Sequence, residues 1–459
     1  MLRPSQARCA AFINAGEDGL IFADVATGKT AIGLTAMVDT PALRWLVMAP
    51  EKVARRRWPE EFPKWEHTAR LDLQHAGGSP SKRLDVVGGS AQVVTLGYDC
   101  LQWFLMLADD PFAQFRFDAV FFDEIDKLKD ATSKRFKLLA RSRGELLRPL
   151  KKRVGATGTP TPTHLLNCWA EAYLIDLGAT FGSSYDKFRR KYFYPTDYKQ
   201  YDWAPLPGTE EHIYNALAGM VERIDRSDCK DEMPTVVDDI DHPRVIELPA
   251  RLMKQYRTLE RKLALQIDGT PHEVMADNRA SLSSMLQQFT SGFLYDADNI
   301  YPLHHAKYDD LAELVSELQG AQLMVLYHFI EQADQLQRRY PNSRRLGGGV
   351  SAAEADETMD LWNAGKLEML VLHKDSAGHG LDLQLSQARH IYFLQRPWSA
   401  GAIEQIAGRL ARPGGADNVF LHTPVVHGTI DDDVLAVNRH RDGELRRFRE
   451  AFKTRMATL

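Results

Sequence analysis

Ala23-Asp24-Val25-Ala26-Thr27-Gly28-Lys29-Thr30 is the stretch on which the reading of the fold turns. It follows the apolar run Leu20-Ile21-Phe22 and leads into Ala31-Ile32-Gly33-Leu34-Thr35-Ala36-Met37, which reads as a helix. Strand, tight loop, Lys-Thr and helix is the geometry of a phosphate-binding loop. Backbone N–H groups of the loop and of the helix's first turn point at the phosphates. Lys29 adds a charge near the β- and γ-phosphates, and the Thr30 hydroxyl completes the shell of a Mg2+ ion. Two positions where such loops favour glycine hold Ala23 and Ala26. If Ala26 adopts positive φ, its Cβ carries a steric cost that glycine avoids.

The surrounding composition is that of a globular protein. The chain has 459 residues, 44% of them hydrophobic and 26% charged, enough for two domains of ordinary size. No apolar run approaches the roughly 20 residues that span a bilayer. The N-terminal residues Met1-Leu2-Arg3-Pro4-Ser5-Gln6 lack the apolar core of a signal peptide. Cys9, Cys100, Cys168 and Cys229 are scattered without a Cys-x-x-Cys pair, which argues against a zinc site or a disulfide framework. A cytoplasmic, monomeric protein with no membrane partner is expected. The net charge of −5 gives no support to a nucleic-acid partner, but binding requires only a local basic stripe. Arg55-Arg56-Arg57, Lys151-Lys152-Arg153, Arg189-Arg190-Lys191 and Arg344-Arg345 are short basic clusters, each by itself compatible with a solvated surface.

Further constellations follow in order. Gln6, upstream of the phosphate loop, is a candidate adenine contact once that loop is granted. Arg44 to Pro50 reads as a buried strand, and Glu51 to Trp65 as a helix that opens with Arg55 and carries Trp58 and Trp65. Its basic start can receive a nucleic-acid phosphate, the alternative being packed tryptophans and solvated arginines. Ala91 to Tyr98, which includes Thr95, reads as another strand. Ala119-Val120-Phe121-Phe122-Asp123-Glu124-Ile125-Asp126 puts two adjacent carboxylates at the end of an apolar strand, the edge where ligands sit in an open parallel sheet. Asp123 is the candidate Mg2+ ligand and Glu124 the candidate base for the attacking water. A polar helix is expected over Lys127 to Lys137. Lys152 to Pro160 is a strand running into a Thr157-Gly158-Thr159-Pro160 turn, and Leu165 to Met233 is mostly helical, interrupted by aromatics from Tyr192 to Trp203.

The second half repeats the βα rhythm. Lys307 to Leu318 is an amphipathic helix, with Leu311, Leu314, Val315 and Leu318 on one face. Leu323 to Tyr327 is a strand, Ile330 to Tyr340 a helix, Arg344 to Ser351 a loop and Glu368 to Leu372 a strand. A glycine-bearing loop, Asp375 to Gln384, contains Ser376, Ala377 and Gly378. Gln405-Ile406-Ala407-Gly408-Arg409-Leu410-Ala411-Arg412 reads as a helix with Arg409 and Arg412 on one face. Two guanidinium forks side by side suit a γ-phosphate that gains charge in a transition state.

With these constellations in order, the chain resembles the superfamily-two helicases and translocases, most closely the Swi/Snf-type DNA translocases in their compact phage or bacterial form. Leu2 to Gln6 is similar to the family's adenine-reading segment, Ala23 to Thr30 to motif I, Met48-Ala49-Pro50 to motif Ia, and Asp123 to Asp126 to motif II. Thr157 to Pro160 resembles motif III, Ala306 to Leu311 the Lys-containing start of the second lobe, Ser376 to Gln384 motif V, and Gln405 to Arg412 motif VI. Pro397-Trp398-Ser399 and Gly428-Thr429-Ile430-Asp431 resemble later family segments. Gly408 and Gly415 stand where many eukaryotic members carry Asp and Gln, which points away from chromatin remodellers.

The resemblance implies an α/β fold of two tandem RecA-like lobes with helical insertions. Lobe one covers residues 1–235 with an insertion at about 165–233, and lobe two covers 236–459 with an insertion at about 250–300. It implies ATP and Mg2+ in the cleft between them. Gln6, Ala26, Thr27, Gly28, Lys29, Thr30, Asp123 and Gln405 hold the nucleotide, with Thr30 and Asp123 on the metal. Lys29, Glu124, Arg409 and Arg412 act in catalysis. The implied track is duplex DNA, gripped through its phosphates without sequence preference, near Arg55, Thr95, Arg344, Arg345, Ser376, Ala377 and Gly378. A strand-separating DNA or RNA helicase and an ATP-gated clamp that does not translocate remain as alternatives. A small-molecule kinase leaves Gln405 to Arg412 without a role.

Overall fold

A computed structural model describes residues 2–440 apart from 17, 25, 141–143, 159–164, 197–199, 201–202, 230–233, 239, 269–282, 297–298, 348, 375–382, 384–385 and 413–417. The chain forms two compact units that divide between residues 230 and 231. No helix among the described residues is long and apolar enough to cross a membrane.

The strands of the first unit are β1 (Asp18–Ala23), β2 (Trp45–Ala49), β3 (Leu73–His75), β4 (Val93–Gly97), β5 (Ala119–Asp123), β6 (Lys152–Thr157), β7 (Phe193–Pro195), β8 (Trp203–Pro205) and β9 (Val221–Ile224). Strands β7 and β8 pair as a separate antiparallel hairpin. The others form one seven-stranded parallel sheet in the order β3-β4-β2-β5-β6-β1-β9. Strands β2, β4 and β5 are buried at every position, so their sequences run apolar without alternation. Helix α1 (Pro4–Ala15) opens with a proline, tolerated there because a first-turn N–H has no intrahelical partner. It packs on α2 (Lys29–Asp39) and on β9, while the helix Cys168–Asp176 packs on β1 and β6. All seven strands run the same way, so the segments after β1, β2, β4, β5 and β6 emerge at one carboxyl edge.

The second unit contains β10 (Thr235–Asp238), β11 (Arg244–Ile246), β12 (Phe293–Asp296), β13 (Asn299–Pro302), β14 (Leu323–Tyr327), β15 (Arg344–Leu346), β16 (Met369–His373), β17 (His390–Phe393), β18 (Asn418–His422) and β19 (Pro424–Val426). Six of them form a parallel sheet in the order β10-β18-β17-β14-β16-β15. Two parallel α/β sheets is the expected fold class. Each sheet terminates on one side in a strand of three residues, β3 in the first and β15 in the second.

Four local expectations are corrected. The helix expected from Glu51 to Trp65 is broken into a π-turn at Val53–Arg57, one α-turn at Trp58–Glu61 and a 3-10 turn at Phe62–Lys64; Pro59 and Pro63 each remove a helix donor. Lys127 to Lys137 is likewise divided, into a 3-10 turn at Ile125–Leu128 and a short helix at Lys134–Leu139 that Ser133 caps. The loop expected at Arg344 begins instead as edge strand β15, whose Leu346 is buried while Arg344 is exposed. Within the helical insertion, Val221–Ile224 is a strand of the main sheet, and Phe188 and Phe193 are core while Tyr194 is exposed.

The second unit encloses a buried ion pair. Lys307 Nζ lies 2.8 Å from Asp431 Oδ2, and the two side chains are 1% and 5% exposed. The ammonium also donates to the Leu394 carbonyl at 3.1 Å and to Gln395 Oε1 at 3.3 Å. Asp431 accepts further bonds from Thr290 Oγ1, Gln395 Nε2 and the Val426 N–H. Removing one partner leaves an uncompensated buried charge, whereas replacing both with apolar groups is close to neutral. Lys307→Met is therefore expected to destabilise the second unit by about 3–5 kcal/mol. Lys307→Met combined with Asp431→Leu recovers only part of that loss, because Thr290, Gln395 and the Val426 N–H lose their acceptor; the measure is the urea midpoint of the unfolding phase that responds to the substitution.

Candidate active site

The loop after β1 is shaped by two left-handed residues. Ala26 has φ 70° and Gly28 has φ 97°. For Ala26 this is the anticipated strain, about 1 kcal/mol for an L-residue with a Cβ. At Gly28 a Cβ would meet the left-handed φ and would lie 2.3 Å from Gln6 Nε2, so the Gln6 amide would have to shift. Between them Thr27 is fully buried, its hydroxyl donating to the Asp24 carbonyl at 2.7 Å. Gln6 reaches the loop from α1: its Nε2 donates to the Thr27 carbonyl at 2.9 Å and its Oε1 accepts from the Arg3 N–H at 2.9 Å. Gln6 thus braces the phosphate loop, a role its sequence position did not specify. Lys29 and Thr30 open α2, both half-buried.

Lys29 meets the second constellation directly. Its Nζ lies 3.3 Å from Glu124 Oε1. Glu124 sits just past β5 in the left-handed region, with φ 54°, a strained setting of the kind that persists at functional sites when the surroundings enforce it. Its other oxygen faces the Gly158 N–H at 3.5 Å, and the Thr157 hydroxyl lies 3.4 Å from Asp126 Oδ1. The turn after β6 therefore touches two of the three carboxylates, Glu124 through Gly158 and Asp126 through Thr157; Thr159 and Pro160 lie outside the described residues.

Asp123 is 3% exposed and its Oδ2 accepts from Trp58 Nε1 at 2.9 Å. Burial, reinforced by the negative charge of Glu124, pushes the Asp123 carboxyl above the ordinary carboxylate range, against the pull of Lys29 and the indole bond. Asp126 is raised by the same two causes, opposed by Lys127, Lys129 and Lys29. Behind them Glu171, 1% exposed on the helix Cys168–Asp176, is held well above its ordinary range, chiefly by burial. The site thus gathers buried carboxyls, and Lys29 offsets only part of the cost of ionising Asp123 and Asp126.

That donor set suits a metal that arrives with its ligand. No group of three or more His, Cys, Asp or Glu able to hold an ion occurs among the described residues. Magnesium on a nucleotide asks for less, one or two carboxylates with phosphates and water. Asp123 and the Thr30 hydroxyl fit as its protein-side contacts, and a cation there would offset the burial of the Asp123 carboxylate.

The remaining candidates divide between the units. Arg55 is exposed on the π-turn Val53–Arg57. Thr95 is fully buried in β4 and donates to the Ala54 carbonyl of that turn at 2.8 Å. Its expected contact with nucleic acid is corrected to support of the Arg55 turn, because a side chain with no exposure cannot meet a phosphate. In the second unit Arg344 is exposed, while Arg345 donates to the Tyr327 hydroxyl at 2.8 Å and lies over its ring. Gln405 lies half-buried on the helix Ala400–Ala407. That helix ends before Arg409 and Arg412, which occupy the following turns, both half-buried, with Arg412 Nε donating to the Gly408 carbonyl at 2.9 Å. Ser376, Ala377 and Gly378 lie outside the described residues. Sequence reasoning missed the roles of Trp58, Tyr98 and Glu171. Tyr98, buried after β4, donates to the Asp123 carbonyl at 3.0 Å. Nothing in the spacing connects Trp58 and Tyr98 to Asp123, or Glu171 to Asp126.

A phosphate loop in contact with an Asp-Glu pair at one parallel sheet, and a paired-arginine turn on a second, define a helicase-like ATPase core of superfamily two. The SNF2-related domain matches residues 10–290 and the helicase conserved C-terminal domain matches residues 306–414. The chain belongs to the SNF2-related family. It is 29% identical over 436 residues to protein p41 of Acyrthosiphon pisum secondary endosymbiont phage 1, covering 90% of each chain. It is 21% identical to the DNA excision repair protein ERCC-6-like of Danio rerio and 23% identical to the human DNA annealing helicase and endonuclease ZRANB3. Those matches cover 93% and 90% of this chain but only 34% and 38% of the two relatives. Among solved structures, the Sulfolobus solfataricus SWI2/SNF2 ATPase core in complex with dsDNA matches at 19% identity and a TM-score of 0.43, over 95% of this chain and 90% of that one.

Two substitutions separate the roles of the loop residues. Gly28→Ala is expected to weaken binding of a fluorescent ATP analogue about tenfold, because the new methyl meets a left-handed φ and displaces the Gln6 amide that braces the loop. Ala26→Gly is expected to retain binding or tighten it up to about fivefold, the strain of roughly 1 kcal/mol being relieved.

Proposed function

We propose that this protein hydrolyses Mg-ATP and uses the cycle to move along duplex DNA without sequence preference. The observation that carries the reading is the contact between Lys29 and Glu124, which joins the phosphate loop to the carboxylate that handles water. Membership of the SNF2-related family and the DNA-directed names of two relatives support it.

In this reading Gln6 and the loop 26–30 hold the nucleotide, and Lys29 exchanges Glu124 for the β- and γ-phosphates. Glu124, released from the ammonium, orients the attacking water and takes its proton. Thr30 and Asp123 would hold magnesium, which when bound would supply charge neutralisation at the phosphates. Arg409 and Arg412 from the second unit, with Gln405 alongside, complete the site when the units close on ATP and stabilise charge at the γ-phosphate. Closure and opening then alternate with each turnover, and that alternation moves the two units along the phosphate backbone. Arg55 and Arg344 are the exposed cations assigned to the backbone.

ATPase assays with duplex DNA, single-stranded DNA and RNA test the track. Duplex DNA is expected to stimulate most; stimulation by single strands alone would favour a strand-separating helicase. Displacement of a third strand from a triplex separates a motor from a clamp, which hydrolyses ATP but leaves the triplex intact. Lys29→Ala is expected to lose turnover. Glu124→Gln retains ATP binding and hydrolyses at least ~10²-fold more slowly, the scale of a general-base contribution. Arg409→Ala retains ATP binding but loses stimulation by DNA; an unchanged kcat would remove that arginine from the site.

A further inference from the structure

The least expected polar contact at the edge of the first sheet is the one made by Trp58. Its indole is fully buried, and its N–H donates to Asp123 Oδ2 at 2.9 Å. An indole N–H is a donor only, and with no exposure it has no recourse to water. The partner is a carboxylate, so the bond is charge-assisted and directional. It fixes which oxygen of Asp123 turns inward and, with it, the orientation of the whole carboxylate.

The surroundings are built to keep the indole in place. A Cβ on Gly33 would lie 2.8 Å from Trp58 Cη2 and 3.1 Å from Phe121 Cε2. Gly33 belongs to α2, the helix that begins with Lys29. Phe121 belongs to β5, the strand that ends with Asp123, and its ring meets the indole edge-on with centroids 5.3 Å apart. One side chain therefore fills the gap between the phosphate-loop helix and the acidic strand and bonds to the acid itself. The π-turn Val53–Arg57 sets its height: the extra residue in that turn shifts all that follows. Thr95 holds the turn through the Ala54 carbonyl, while His75 Nδ1 lies 3.0 Å from the Thr95 hydroxyl.

From this the geometry points to Trp58 as a positioning residue for magnesium, holding the Asp123 carboxylate in the orientation that receives the ion on a bound nucleotide. The inference rests on the Mg-nucleotide reading above. Outer partners of this kind change metal affinity by roughly 10–100-fold when removed, whereas a tryptophan that merely fills space affects folding and nucleotide binding alike.

The test is binding of a fluorescent ADP analogue to the full chain without DNA, titrated with Mg2+ and measured also in EDTA. For Trp58→Phe, which keeps an aromatic ring and removes the N–H, the Mg2+ midpoint is expected to rise about 10-fold. Affinity in EDTA stays within about twofold, the precision of such a comparison. Phe121→Leu, which loosens the same packing but keeps the N–H, is expected to leave the midpoint within about the same twofold margin. Should Trp58→Phe not fold, Gly33→Ala, which presses a methyl on the indole, supplies the same readout with a midpoint shifted in the same direction. An unchanged midpoint in a folded Trp58→Phe protein, or an equal loss with and without magnesium, overturns the assignment. Absence of any Mg2+-dependent nucleotide binding by the unsubstituted protein overturns instead the ATPase reading on which it rests.

Discussion

The ion pair between Lys29 and Glu124 is the constraint that orders the rest of the first unit. The two residues follow β1 and β5, which are not neighbours: β6 lies between them in the sheet. For the ammonium to reach the carboxylate, the end of β6 must carry little bulk. That strand contains Gly155, where a Cβ would lie 2.6 Å from Ile125 and 2.7 Å from Leu20, and it leads into Gly158. The glycines let residues that flank β5 and β1 close over β6, and the Gly158 N–H then faces Glu124. The sheet order, the small residues of β6 and the left-handed turn at Glu124 are parts of one arrangement.

Electrostatics explains what such an arrangement is suited to receive. Three acidic side chains in four residues would repel one another in a buried setting, and two of them are raised above the usual range. Lys29 offsets part of that repulsion at close range, and Trp58 and Thr157 donate to two of the carboxylates. The balance is incomplete, which favours the arrival of further positive charge. Two of the six non-glycine residues at positive φ among the described residues, Ala26 and Glu124, flank this contact. Strain and unbalanced charge are retained where binding can relieve them.

Much of this was legible from residue order. Apolar runs ending in Gly-Lys-Thr and Asp-Glu gave β1 and β5 with their chemistry, because a buried parallel strand reads as a continuous hydrophobic stretch. The amphipathic spacing of Leu311, Leu314 and Val315 located the helix Ala306–Leu318. What escaped was non-local. Trp58 looks like any packing tryptophan until its N–H is seen to have a single destination, Asp123. The expectation that Thr95 contacts nucleic acid places it on a strand, and only the tertiary fold shows it inside, under a π-turn. Arg344 and Arg345 were read as a loop because three residues are too few for a period of two to show itself. Arg409 and Arg412 lie beyond the last full helical turn, a boundary that composition does not mark.

The brevity of β3 and β15 bears on what these sheet margins offer to another chain. A large parallel sheet with a long open margin is a template for pairing with another chain. Here those margins expose a ladder of three residues each, with Gln74 on one and Arg344 on the other turned to solvent. A second polypeptide laid alongside would find few backbone partners and, at β15, a cation to desolvate. Resistance to edge-to-edge aggregation is thus written into the shortest elements of the chain.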